Sequence, residues 1–223
     1  ISIETLDGKP GVHLQTIHEF GSFTTFLNGV RLSGAYKGLN VSFLGVRMDR
    51  GGSNLTRAGD AGYVGENDGY KNTTFHGKVT WRPADFLELK FVGRYVDRTS
   101  QTDNADFATG LATDTDNETE NTIGQFLTKA TIFLLDDRWQ TSFQVQYFDS
   151  KSKFYSNGIS DSRNRGQRLQ FTGQTSYRFS TPKLLRTDHQ IILAFEHERE
   201  KFENRGEASI FGDPNQNRRR LQN

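Results

Sequence analysis

The sequence predicts an all-β fold, an antiparallel transmembrane β-barrel segment, and three observations carry that expectation. Stretch after stretch alternates apolar and polar residues, several of these stretches run for ten residues or more, and the links between them alternate short and long. From Trp139 to Phe148 the chain reads WQTSFQVQYF, with Trp139, Thr141, Phe143, Val145 and Tyr147 on one side and Gln140, Ser142, Gln144 and Gln146 on the other. A period of two gives each set its own sheet face. One face suits hydrocarbon and the other suits water.

Alternation bounded by Gly, Pro, Asn and Asp gives nine strands. The first two run from Val12 to Phe20 and from Phe23 to Tyr36. The third, Leu39 to Asp49, has apolar residues on both faces as far as Met48, as a strand would that packs against something inside a barrel. In the fourth, Lys71 to Arg82, Phe75, Gly77, Val79 and Trp81 look outward while His76, Lys78, Thr80 and Arg82 look inward. In the fifth, Phe86 to Asp97, Leu87, Leu89, Phe91 and Tyr95 oppose Glu88, Lys90 and Arg94. The sixth, Thr122 to Leu135, turns Gln125 and Lys129 inward, and the seventh, Arg138 to Lys151, contains the WQTSFQVQYF run. The eighth, Gly166 to Ser180, sets Leu169, Phe171, Gly173, Thr175, Tyr177 and Phe179 against Arg168, Gln170, Thr172, Gln174, Ser176 and Arg178. The ninth, Asp188 to Phe202, turns Glu196 and Glu198 inward. Lys or Arg on a lipid face at the bilayer midplane costs about 2–4 kcal/mol, so charges placed regularly opposite the aromatics are informative. Trp81, Tyr95, Trp139, Tyr147 and Tyr177 lie near strand ends, where an interfacial aromatic belt would have them.

The links sharpen the case. Lys37-Gly38, Pro83 to Asp85, Asp136-Asp137 and Thr181 to Thr187 are short, whereas Arg50 to Tyr70, Arg98 to Asn121 and Ser152 to Arg165 are long and polar. Outer-membrane barrels have short periplasmic turns and long extracellular loops, so this parity sends the three long links outside the cell and starts a further external loop at Glu203. An odd number of strands leaves edges that lipid does not tolerate, which makes the chain part of a larger barrel.

Composition excludes other classes. With 33% hydrophobic residues and a mean hydropathy of -0.71, no apolar run approaches the roughly 20 residues of a spanning helix. A barrel escapes this objection because only alternate residues meet lipid. Twelve per cent aromatic residues, including 18 Phe, argue against disorder. A net charge of +1 argues against nucleic acid as a partner, and the absence of cysteine excludes disulfides and thiolate chemistry. Five His residues stand without a zinc helix or a nucleophile elbow around them, so an enzyme is not expected.

The opening Ile1-Ser2-Ile3-Glu4-Thr5-Leu6-Asp7-Gly8 resembles the plug-to-barrel junction of TonB-dependent outer-membrane receptors. The run Glu66-Asn67-Asp68-Gly69-Tyr70-Lys71-Asn72-Thr73-Thr74-Phe75 is similar to the return of their second long external loop into the fourth barrel strand. The order of elements matches the cobalamin and siderophore branch. The resemblance implies a junction at residues 1–11 and, over 12–223, about nine strands of a barrel of about 22. It implies an active transporter that takes up a scarce small molecule or metal chelate, with energy delivered by TonB through a plug. Its setting would be the bacterial outer membrane, among lipid and lipopolysaccharide. A passive porin-like channel is the alternative. Under either, His76, Lys78, Glu88, Lys90, Arg94, Lys129, Arg168, Arg178, Glu196 and Glu198 line the lumen.

Two long links are rich in acids, with Asp60, Glu66 and Asp68 in one and Asp103, Asp106, Asp114, Asp116, Glu118 and Glu120 in the other. Carboxylates converging from neighbouring loops suit a hard cation, which takes six to eight oxygen ligands. The resemblance to cobalamin transporters implies Ca²⁺ there, with Glu66, Asp68, Asp103 and one of Asp114 or Asp116 as the nearest equivalents. The alternative is ordinary solvated loop acids. No other cofactor is expected.

Overall fold

The computed structural model describes residues 8–54, 56–60, 62–181, 187–208 and 212–222. All of its secondary structure is one antiparallel sheet of ten strands in chain order. These are β1 (Gly11–Gly21), β2 (Thr25–Tyr36), β3 (Leu39–Ser53), β4 (Asp68–Ala84), β5 (Leu87–Ala105), β6 (Ala112–Leu134), β7 (Trp139–Ser156), β8 (Ile159–Thr181), β9 (Thr187–Gly206) and β10 (Gln216–Gln222). Each strand pairs with the next, leaving β1 and β10 as the edges.

The register carries the face assignment from strand to strand, since cross-strand partners point the same way. Gly45, Phe75, Tyr95, Gly124, Asp149, Gln167 and Lys201 form one continuous row. Two residues nearer the short turns, the next row runs Phe43, Gly77, Gly93, Phe126, Tyr147, Leu169 and Arg199. Most of the aromatic side chains of the central strands therefore share a face. From Trp139 to Tyr147 this apolar band spans eight residue steps, about 27 Å along the strand.

The two faces differ in crowding. Apart from Asp114 at the irregular outer end of β6, the strand side chains that fall below a tenth of their full exposure, Ser33, Ser42, Lys78, Val96, Thr131 and Ser176, all lie on the polar face. Most of the large exposed apolar strand residues, such as Phe75 at 55%, Phe143 at 54% and Phe195 at 58%, lie on the other, with Ile192 and Phe202 as exceptions on the polar face. A single sheet with nothing packed on it hides side chains only where it curls, and crowding falls on the concave side.

Glycine shapes the apolar face at four cross-strand pairs. Gly45 faces Phe75, Gly77 faces Phe43, Gly93 faces Phe126 and Gly173 faces Phe195, each pair in direct register. At Gly77 and Gly173 the ring occupies the space of the missing side chain, with a Cβ falling 3.0 Å and 2.1 Å from it. Bare glycine backbone in a strand is thus covered by an aromatic neighbour.

Nine of the strands correspond to those expected from alternation, and most run further, although β2 begins only at Thr25, after a turn in which Phe23 and Thr24 have positive φ. The span expected as a long link from Ser152 to Arg165 is strand almost throughout, closed by a two-residue turn at Asn157-Gly158 with φ of 50° and 73°. Both central residues have positive φ, which matches the right-handed twist of the flanking strands. Likewise β5 and β6 consume most of Arg98 to Asn121, leaving residues 106–111 as the link. Of the three, the link after β3 is the one that is loop over most of its length, from 54 to 67. The tail from Glu203 returns as β10, a tenth strand against β9. At Pro83, which lacks the N–H a ladder needs, the β4–β5 register slips between Trp81 and Ala84.

Most of the expected junction, residues 1–7, lies outside the described residues. Its last part is held firmly. Asn40 accepts a hydrogen bond from the Gly8 amide at 2.8 Å and donates one to the Gly8 carbonyl at 2.9 Å. Asn40 pairs with Thr80 on the polar face, so the chain reaches β1 from the concave side. Only glycine fits there, because a Cβ at Gly8 would stand 2.5 Å from the Gly34 oxygen.

Candidate functional site

Two groups of residues carry chemistry: an acidic cluster at the far ends of β3–β6, and the concave face below it.

The acidic cluster is built by strand extension. β5 and β6 run past the apolar band and carry Asp103, Asp114 and Asp116 toward the loop 54–67 and the start of β4, where Glu66 and Asp68 stand. Glu66 lies within electrostatic reach of the other four carboxylates, and Asp68 within reach of Asp103 and Asp114. Desolvation, then the charges of Asp114, Asp116, Asp103 and Asp68, raises the Glu66 carboxyl above its ordinary value. Desolvation and the charges of Asp103 and Asp114 raise Asp68 as well.

Asp114 behaves differently. One of its oxygens, Oδ2, accepts hydrogen bonds from the Val64 amide, from the Gly65 amide at 3.2 Å and from Asn54 Nδ2 at 3.0 Å. Desolvation pushes this carboxyl up, but the donors, with Thr56, outweigh it and hold it at about 2. Asp114 therefore anchors the loop 54–67 to β6. Its other oxygen, Oδ1, is buried with no hydrogen-bond partner, as are Asp103 Oδ2 and Asn117 Oδ1. Asp103 Oδ1 accepts from the Thr115 amide at 3.1 Å. Shielded anionic oxygens without partners are costly and suit a hard cation in chemical kind. Among the described residues, however, no three acid or imidazole side chains close on one point as a metal site requires.

Other acids in these links have structural partners. Asp106 caps the turn of residues 106–111, accepting from the Thr109 amide at 2.7 Å and its hydroxyl at 2.8 Å. Glu120 pairs with Lys153 at 3.1 Å and accepts from the Tyr155 hydroxyl at 3.2 Å.

The concave face gathers the second group. His76, Lys78, Glu88, Lys90, Arg94, Lys129, Arg168, Arg178, Glu196 and Glu198 all fall on it by register. Across the strands, His76 pairs with Arg94, which pairs with Gln125, then Phe148, then Arg168. The same face holds an apolar patch that alternation showed only in part: Leu44, Val46, Val92, Ile123, Leu127 and Phe148, with Val96 buried among them. A recess of about 560 Å³ opens between Leu44, His76, Val92, Leu127, Phe148 and Arg168. His76 Nε2 in the recess, and Thr80 Oγ1 further along β4 on the same face, are buried without hydrogen-bond partners.

Comparison with protein-family models finds no match to this chain, and neither does comparison with curated proteins.

Proposed function

We propose that this chain is the amino-terminal wall of the β-barrel of a TonB-dependent transporter in a bacterial outer membrane, which takes up a scarce small molecule or metal chelate. The observation that carries this reading is the contrast between faces: the crowded side chains of the laddered sheet, Ser33, Ser42, Lys78, Val96, Thr131 and Ser176, lie on the polar side, while most of the exposed strand aromatics lie on the other. Such a sheet is stable where hydrocarbon meets its convex face and an aqueous or protein-filled lumen meets its concave face. In a soluble β-protein the aromatic face would instead be buried in a core.

Two observations favour a plugged transporter over an open channel. Asn40 clamps Gly8 on the concave side, so the chain preceding β1 comes from the interior. The patch of Leu44, Val46, Val92, Ile123 and Leu127 puts apolar surface where bulk water alone would be a poor neighbour. A plug domain on that face would cover the patch, reach the unpartnered His76 and Thr80 atoms, and deliver the pull of TonB.

Ca²⁺ belongs to the proposal as a loop cofactor. Asp103, Asp68 and the unpartnered Asp114 oxygen do not converge on one point, so holding the ion would require these loop side chains to draw together around it, and its charge would relieve the repulsion that raises Glu66 and Asp68.

The test is the intact protein in a planar bilayer and in cells. A plugged transporter shows no steady conductance and accumulates ligand only in cells with TonB. Large ohmic conductance, with uptake indifferent to TonB, would favour a porin-like channel.

A further inference from the structure

The convex face is not uniform beyond its apolar band. Above Tyr147 and Leu169, the register lays out a basic patch on β7–β10. Arg199 stands level with that pair, and the next row holds Lys201 and Arg219 beside Asp149. The following row holds Lys151 and Arg165 beside Glu203, and the last holds Lys153, Arg163 and Arg205. Eight basic side chains thus share a face with Asp149 and Glu203, and with Glu120 on the adjoining β6.

The carboxylates neutralise only part of this charge. Asp149 is held by Arg165 at 2.8 Å, Glu203 by Arg205 at 2.8 Å and Glu120 by Lys153 at 3.1 Å. Arg199 and Arg219 are exposed and have no ion pair among the described residues. Neighbouring strands are about 4.8 Å apart and alternate residues about 6.7 Å apart, so the surplus charges repel one another within a Debye length. The same rows on β4–β6 differ: Thr73, Asp97 and Thr122, then Lys71, Thr99 and Glu120. The patch is therefore confined to one arc.

We propose that this arc binds the phosphates of an anionic glycolipid of the outer leaflet, the diphosphorylated lipid A of lipopolysaccharide. This rests on the outer-membrane reading above. Two features select that ligand. Phosphate takes guanidinium and ammonium donors in the paired geometry such a cluster offers. Directly below, Val145 and Phe171 continue the apolar face on the same strands, so acyl chains attached to the phosphorylated headgroup meet hydrocarbon surface. A nucleic acid would match the charge but leave the apolar half bare.

The experiment uses the intact protein in detergent micelles and in lipid vesicles, with native mass spectrometry as the readout. Diphosphoryl lipid A, an uncharged glycolipid with the same acyl chains, inorganic phosphate and a short DNA duplex are the probes. The variant combining Arg163→Gln, Arg165→Gln, Arg199→Gln and Lys201→Gln is compared with Arg47→Gln plus Lys71→Gln on the opposite arc. Lipid A should bind the patch variant about tenfold or more weakly, and bind the opposite-arc variant like the parent. The milder pair Arg199→Gln and Arg219→Gln, which breaks no ion pair, should weaken it by about threefold. Inorganic phosphate should not compete at the same concentration, since it lacks the acyl chains. Equal retention of lipid A by parent and patch variant would overturn the proposal. So would equal loss on both arcs, equal binding of the uncharged glycolipid, or preference for DNA. Failure of the parent to insert into vesicles would remove the outer-membrane reading and the patch together, whereas insertion without charge-dependent lipid binding removes the patch alone.

Discussion

Phe143 and Gln144 are neighbours in the chain and opposites in surroundings. Phe143 lies on the convex face, in register with Gly173, and Gln144 lies on the concave face, in register with Lys129. Phe143→Arg should therefore destabilise the folded protein in lipid by about 2–4 kcal/mol while Gln144→Arg is close to neutral, as read from denaturant titration in vesicles. Equal penalties would instead indicate a sheet buried on both sides. These facings were legible because a period of two needs no knowledge of partners. The role of Asp114 was not legible: its partners, Val64 and Gly65, sit in another link 50 and 49 residues away, and their amides carry no sequence signature. Its carboxyl is held at about 2, below the ordinary 3.8, so its contribution is present above the ordinary value and lost as pH falls through about 2. Glu66 and Asp68 are shifted upward, so they weigh against the folded loop near neutrality and that cost fades on acidification. Protection of the Val64 and Gly65 amides, taken relative to the intrinsic exchange rate at each pH, should accordingly rise on mild acidification and fall again toward pH 2. Asp114→Ala should abolish that protection at every pH.

At the scale of the element, strand identity was readable and strand length was not. Alternation fades where both faces meet water, so from Ser152 to Arg165 nothing distinguishes a polar strand from a polar loop except its turn. Asn157-Gly158 was that signal, the dipeptide that tolerates positive φ at both positions. The same lack of contrast hid β10, whose side chains are all exposed. The glycines of the apolar face have a different logic, visible only through register. Gly173→Val should drive the Phe195 ring from the space it fills, at a cost of about 1–3 kcal/mol, while Gly166→Val, with open space around it, costs less. Sidedness belongs to the elements as well. A cysteine at Asn104 or Asn157 should react with an impermeant maleimide on intact cells, whereas one at Asp137, in the turn between β6 and β7, should react only after the outer membrane is breached. Reversed labelling would turn the topology over.

At the scale of the whole molecule, ten strands in order form an open sheet, and the backbone groups on the outer edges of β1 and β10 have no strand partner among the described residues. In lipid such edges must be paired, which is why the chain is read as one arc of a larger barrel. The acidic cluster also acts at this scale, because it ties the loop 54–67 and β4 to β5 and β6. Ligand binding by the intact protein should strengthen when Ca²⁺ is added and weaken with chelator, and Asp68→Asn with Asp103→Asn should remove that dependence. Affinity indifferent to both would return these acids to the role of solvated loop residues. The polar continuation of the strands has a kinetic meaning too. From Asp149 to Ser156, β7 rises about 24 Å past the apolar band while still laddered to both neighbours. A solute approaching from that end meets a stiff palisade whose order was established at folding. In the transporter proposed above, capture at that end would be governed by diffusion into a standing vestibule and by the aperture its rim allows, so the rate at which ligand arrives should follow solvent viscosity and ligand size more closely than any rearrangement of the wall.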